Sequence, residues 1–218
     1  MDLVPMILCL RSSGLWLTIW IFDRQKPRHL FKPCAEWVSI LSGMRPMWIQ
    51  RPRWFMRLED KVIQVKQRRT AWATLSPQRT LGSAIEWLGA KQVALVSSFG
   101  TDSAVLLHMM SEINPSNPVI FLDTEFHFDE TLRYLEDLVD RLGLTGIQRA
   151  RIDPVSRKRL DPDQQLHRRD PDRCCQARKV EVLDRALKGF QGWISGQKRF
   201  QSSLRNDVEV LEVDVERN

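Results

Sequence analysis

The sequence predicts an α/β fold, an open and mostly parallel sheet with helices on both faces. Three observations predict it. Val93-Ala94-Leu95-Val96 is an apolar run rich in β-branched residues, followed at once by small hydroxyl and glycine residues and then by an apolar segment of helical length, residues 104–110. Pro118-Val119-Ile120-Phe121-Leu122-Asp123 reads as a second buried strand. An amphipathic helix separates it from a third candidate strand, so strand and helix alternate as parallel strands joined by right-handed crossovers require.

Taken in order, residues 1–55 stand apart. They hold eight Lys/Arg against three Asp/Glu, whereas the rest of the chain is nearly balanced at 25 against 24, so the formal charge of +6 belongs mostly to this quarter. Five of the eight tryptophans fall here among scattered Pro and Arg, with no sustained period of 3.6 or 2. Residues 3–22 are apolar, but Arg11 interrupts them, Asp2 stands where a positive start belongs and no small-residue cleavage site follows, so neither a membrane span nor a signal peptide is expected. No basic helix or aromatic-interleaved stripe accompanies the charge, so no nucleic acid is expected as partner. The texture changes at Met56. The expectation is therefore an atypical extension over 1–55, outside the fold and upstream of a natural start near Met56, and one domain over 56–218 that opens on a charged helix near 56–66.

The junction Ser97-Ser98-Phe99-Gly100-Thr101-Asp102-Ser103 lies between a strand and a helix. The first N–H groups of a helix lack intrahelical acceptors and the helix dipole is positive there, so an anion bound in such a loop is stabilised. Gly100 admits a close backbone approach, and Ser97, Ser98, Thr101 and Ser103 offer hydroxyl donors. The loop is neither a Walker A motif, since no Gly-Lys-Ser/Thr follows, nor a dinucleotide fingerprint, since it has one glycine. Asp123 and Thr124 end the second strand, at the edge where open α/β sheets bind ligands. Phe128-Asp129-Glu130 opens the next helix, whose stripe is Leu132, Leu135, Leu138, Val139 and Leu142 and whose end is Gly143. Residues 146–152 form the third strand, placed at an edge by Gln148, Arg149 and Arg151.

Asp170-Pro171-Asp172-Arg173-Cys174-Cys175-Gln176-Ala177-Arg178-Lys179 follows. Two adjacent cysteines cannot both face the core from one regular strand, and at a helix start beside Arg173, Arg178 and Lys179 they lie in a field that favours thiolate, the ligand of soft metals and clusters. Trp193-Ile194-Ser195-Gly196-Gln197-Lys198-Arg199, with Arg205, is a basic loop suited to anionic oxygens.

Residues 98–103 resemble the phosphate loop of the adenine nucleotide α-hydrolase-like (PP-loop) superfamily, in the Ser-Phe-Gly form of the adenylylsulfate and phosphoadenylylsulfate reductases. Leu122-Asp123-Thr124 followed by His127-Phe128-Asp129-Glu130-Thr131-Leu132 is similar to that family's next motif, with Glu125 where the family carries glycine. Cys174-Cys175-Gln176-Ala177-Arg178-Lys179 resembles the segment of its iron–sulfur members, and Gly196-Gln197-Lys198-Arg199 the arginine loop. The resemblance runs from about Met56 to Asp214. It implies a substrate site of Ser97, Ser98, Phe99, Gly100, Ser103, Leu122, Asp123, Thr124, Gly196, Lys198, Arg199 and Arg205, in which the Leu122–Thr124 corner meets the adenosine. It implies that Cys174 and Cys175 are two of four ligands to a [4Fe–4S] cluster tuned by Lys179. The implied reaction is reductive cleavage of adenylyl sulfate or phosphoadenylyl sulfate to sulfite and AMP or PAP in sulfate assimilation, the cysteine pair favouring adenylyl sulfate, with thioredoxin as donor.

The family's nucleophile lies in Glu-Cys-Gly-x-His and its second ligand pair in Cys-x-x-Cys. Neither is present in this sequence, whose other cysteines are Cys9 and Cys34. No catalytic cysteine is therefore assigned, and a truncated member without reductase turnover is expected. Two other readings stay open: a nucleotidyl-transfer enzyme of the superfamily, such as a sulfate adenylyltransferase small subunit or a tRNA-thiolating enzyme, and a non-catalytic nucleotide-binding remnant. The lack of a secretory cysteine framework points to a reducing cytoplasm. A homo-oligomer is left open.

Overall fold

The computed structural model describes residues 18–21, 58–197 and 209–214. Its centre is a six-stranded sheet in the order β4-β3-β2-β5-β1-β6. β2 (Val93–Ser97) pairs in parallel with β3 (Val119–Leu122) and β5 (Gly192–Ser195), and β3 in parallel with β4 (Ile147–Ala150). β1 (Thr18–Ile21) runs antiparallel to β5 and parallel to β6 (Leu211–Val213).

The apolar runs behave as strands covered on both faces. On one face Val93, Leu95, Val119, Phe121 and Ile194 pack with α1 (Leu58–Trp72), α2 (Pro77–Leu88), α3 (Ala104–Ile113) and α4 (Asp129–Leu142). On the other, Ala94, Ile120 and Trp193 pack with Leu183 and Leu187 at α8 (Glu181–Ala186). Ser76 caps α2, its hydroxyl accepting from the Arg79 N–H at 3.4 Å, and left-handed Gly143 (φ +61°) terminates α4. β4, with exposed Gln148 and Arg149, is the sheet edge that its polar composition predicts.

Of the stretch 1–55 only Thr18–Ile21 are among the described residues. Thr18–Ile21 are an interior strand of the sheet, so at least these four residues belong to the fold that composition sets them apart from. Their signal is hidden because a four-residue strand flanked by Trp, Arg and Pro shows no period, and its partners lie at the far end of the chain. Among the described residues no helix is long and apolar enough to cross a membrane.

Candidate functional site: a hydroxyl-lined cleft beside an ion-paired corner

The parallel register brings the C-terminal ends of β2, β3 and β5 to one edge. There Ser98, Gly100 and a 3₁₀ turn (Thr101–Ser103) face Gly196 and Gln197 across a cleft of about 330 Å³. The turn leads into α3, so the first N–H groups of that helix, the hydroxyls and the glycines lie together at one cleft, an arrangement suited to an anion. At Gly100 an added Cβ would meet only the Ser98 Oγ, at 3.7 Å, so the fold itself makes no demand for glycine there. The positive φ, +52°, falls on Phe99 instead. Its ring is buried and packs edge-on against Phe121 with centroids 5.6 Å apart, and its N–H donates to the Ser97 Oγ at 3.1 Å. Ser97 and Phe99 therefore shape the loop from below, while Ser98, Gly100, Ser103 and Gly196 line the cleft.

The Leu122–Thr124 corner does not line this cleft. Asp123, 3% exposed, accepts from the Glu125 N–H (3.0 Å) through Oδ1 and from Arg149 (3.2 Å) and Arg151 (2.8 Å) through Oδ2. Burial works against its charged form, but the Glu125 N–H and the guanidinium groups of Arg151 and Arg149 outweigh it and hold the carboxyl below its ordinary value. The Leu122 carbonyl lies 3.0 Å from the His127 ring nitrogen, and the Thr124 carbonyl accepts from Arg178 at 3.0 Å. At Glu125, where the resembled motif has glycine, the backbone is left-handed (φ +65°). The glycine-like geometry is kept at a cost in strain, and the side chain turns to Arg178 (2.5 Å) and Arg157 (3.2 Å).

Arg178 joins this corner to the cysteine segment. It is 1% exposed, donates to the Thr124 carbonyl, Glu125 and Asp161 (2.9 Å), and lies 4.6 Å over the Phe126 ring. Despite burial, the carboxylates of Asp161 and Glu125 raise its pKa above the ordinary guanidinium value. Asp161 also accepts from the Leu166 N–H at 2.8 Å, which ties the polar connector to the same point. A π-helical turn (Gln176–Val180) follows α7 (Pro171–Cys175). On an α-helix, residues four apart drift by about 40° per step. The wider turn changes that phase, and Cys174, Arg178 and Val182 are all buried. The sequence shows Arg178 only as one of several cations near the cysteines, because its partners lie 17 and 53 residues away.

Cys174 is buried, Cys175 exposed, and both thiols are free. Lys179 is exposed on the next turn. The two thiols are donors of the soft kind, but among the described residues no group of three or more His, Cys, Asp or Glu could hold a metal ion. Among the described residues they do not make a complete cluster site. Lys198, Arg199 and Arg205 lie outside the described residues, as do Cys9 and Cys34.

A family model described as the phosphoadenosine phosphosulfate reductase domain matches residues 92–218. The chain is similar to an adenosine 5′-phosphosulfate reductase of Mesorhizobium japonicum, 46% identical over 138 residues that cover 63% of this chain and 54% of that protein. It also resembles a phosphoadenosine 5′-phosphosulfate reductase of Gloeobacter violaceus, 37% identical over 149 residues, 67% of this chain and 61% of that one. A solved phosphoadenylyl-sulfate reductase from Candida auris, in a phosphate complex, aligns with TM-score 0.49 at 22% identity, covering 61% of this chain and 63% of that one. The chain spans about half the length of the curated relatives it matches. With more than half of its length matched by the family model, the chain belongs to the phosphoadenosine phosphosulfate reductase domain family.

Proposed function

We propose that the chain binds the adenylyl end of a sulfonucleotide and serves the reductive cleavage of adenylyl sulfate in sulfate assimilation. The observation that carries this is the cleft in which Ser98, Gly100 and Ser103 at the end of β2 face Gly196 at the end of β5. In the proposed reaction a thiolate attacks the sulfur, forming an S–S bond as the S–O bond to AMP breaks and AMP leaves with the bonding pair. A dithiol donor of the thioredoxin class then takes the sulfur–sulfur bond, releasing sulfite and becoming a disulfide. No residue of this sequence is assigned as the attacking thiolate.

The part played by this chain is binding and orientation. Hydroxyls and helix N–H groups hold the leaving nucleotide's anionic oxygens, which lowers the cost of the charge that develops as AMP departs. Lys198, Arg199 and Arg205 would add charge-assisted contacts from the loop after β5. Leu122, Asp123 and Thr124 would shape the adenosine side, the carboxylate acting through the turn it caps. Cys174 and Cys175 would hold two corners of a [4Fe–4S] cluster, with Lys179 beside them and the other ligands drawn from outside the described residues. The cytoplasm is the proposed compartment.

Calorimetric titration with AMP, adenylyl sulfate and ATP–magnesium tests the reading. AMP and adenylyl sulfate are expected to bind and ATP–magnesium to bind more weakly. A preference for ATP–magnesium would transfer the chain to the nucleotidyl-transfer class.

A further inference from the structure

A second cleft, of about 550 Å³, opens at the same sheet edge beyond β4, between the start of α5 (Pro154–Leu160) and α8. It shares no lining residue with the hydroxyl-lined cleft. Its cations are Arg151, Arg157 and Arg185, and Ile152 and Pro154 give it an apolar wall. Glu125 and Asp153 line it too, and each guanidinium has a partner: Arg151 is bound by Asp123, Arg157 by Glu125, and Arg185 by the Arg151 carbonyl. These bonds use one or two of the five N–H donors each arginine carries, and they fix the planes of the remainder.

Three guanidinium groups around one opening repel each other unless anions balance them. The carboxylates nearby are already committed. Asp123 is shared between Arg149 and Arg151, Glu125 between Arg157 and Arg178, and Asp161 is taken by Arg178. Asp153 caps α5 through the Ser156 N–H at 2.7 Å, with Arg185 near enough to stabilise its charge. The cleft itself is lined by three arginines and two carboxylates, Glu125 and Asp153, which leaves it a net positive charge. Oriented guanidinium forks pair with oxyanions through two parallel N–H···O bonds, a geometry that a pair of phosphate oxygens fits.

We infer that this arginine cleft is a second oxyanion site, taking a phosphate or a phosphomonoester group, separate from the hydroxyl-lined site that would hold the nucleotide. Sites of this size admit more than a bare ion, so inorganic phosphate and the phosphate of a nucleoside monophosphate are the two sources to separate.

Equilibrium dialysis of the full chain against labelled phosphate, with and without saturating AMP, makes the test. The wild-type chain is expected to retain bound phosphate under saturating AMP. Arg185→Gln and Arg157→Gln are each expected to weaken that retained binding about tenfold, the loss of one charge-assisted contact, and Arg157→Lys by less. Ser98→Ala is expected to leave it unchanged. Circular dichroism of each variant confirms the fold. If AMP displaces the phosphate and Arg185→Gln weakens AMP itself, the site stands and its ligand is a nucleotide phosphate. Complete displacement by AMP with no effect of either glutamine variant overturns the site, as does unchanged phosphate retention in both. Failure of AMP to bind at all, with phosphate still sensitive to Arg185, sinks the nucleotide reading and leaves the arginine cleft intact.

Discussion

The two halves of the ligand-binding edge are built by opposite means. At the end of β2 the chain uses hydroxyls and backbone donors, and the polar surface of Ser98, Gly100 and Ser103 is left facing solvent. At the end of β3 it uses charge. Asp123, Glu125, Asp161 and Arg178 are locked together, and three of these four are at most 3% exposed. Donors kept for a ligand must not be satisfied by the protein, whereas donors kept for structure must be. The first region has the character of a binding surface and the second that of a joint.

If that contrast is right, the largest effect should come from the joint. Arg178→Met strands Asp161 and Glu125 without their shared cation and is expected to cost about 3–5 kcal/mol of stability, measured by urea denaturation. A loss below about 1 kcal/mol would break the comparison. Next is Asp123. Its carboxyl is held below the ordinary range, so its contribution is present above the unfolded value near pH 4 and is lost as pH falls through the folded value. Asp123→Asn is expected to cost about 2 kcal/mol at pH 7 and to flatten the acid limb of the stability profile. Glu125 separates strain from pairing. Both Glu125→Gly and Glu125→Ala lose the pair with Arg178, but only alanine keeps a side chain at φ +65°, so the glycine variant should be the more stable by about 1 kcal/mol. The smallest change in stability, within about 0.5 kcal/mol, is expected for Ser98→Ala, together with an AMP affinity lower by roughly three- to tenfold. A Ser98 variant that melts early and binds normally would place the serine with the joint.

The same contrast explains how much the sequence discloses. The loop from Ser97 to Ser103 is legible because its parts are contiguous, and the strands around it are legible because residues covered on both faces must be apolar. The stripe of α4 and its stop at Gly143 follow from period and turn chemistry. Arg178 is opaque because a lone arginine beside cysteines carries no mark of burial, and its meaning depends on carboxylates contributed by other segments. The π turn that buries it shifts the helical phase by packing rather than propensity. The cysteine pair reads clearly as a donor motif, yet the described residues hold no third ligand group beside it. Thr18–Ile21 is opaque for the plainest reason: too short to show a period, it is a strand only because β5 and β6 are there to receive it.

That last pairing sets a schedule. A ribosome releases Thr18–Ile21 before Gly192–Ser195 and Leu211–Val213, so this strand waits until β2, β3 and β4 have been made before it finds either neighbour. Closing so long a loop is entropically slow. The parallel strands β2, β3 and β4 can meanwhile assemble among themselves, and β5 and β6 then close onto a segment made well before them.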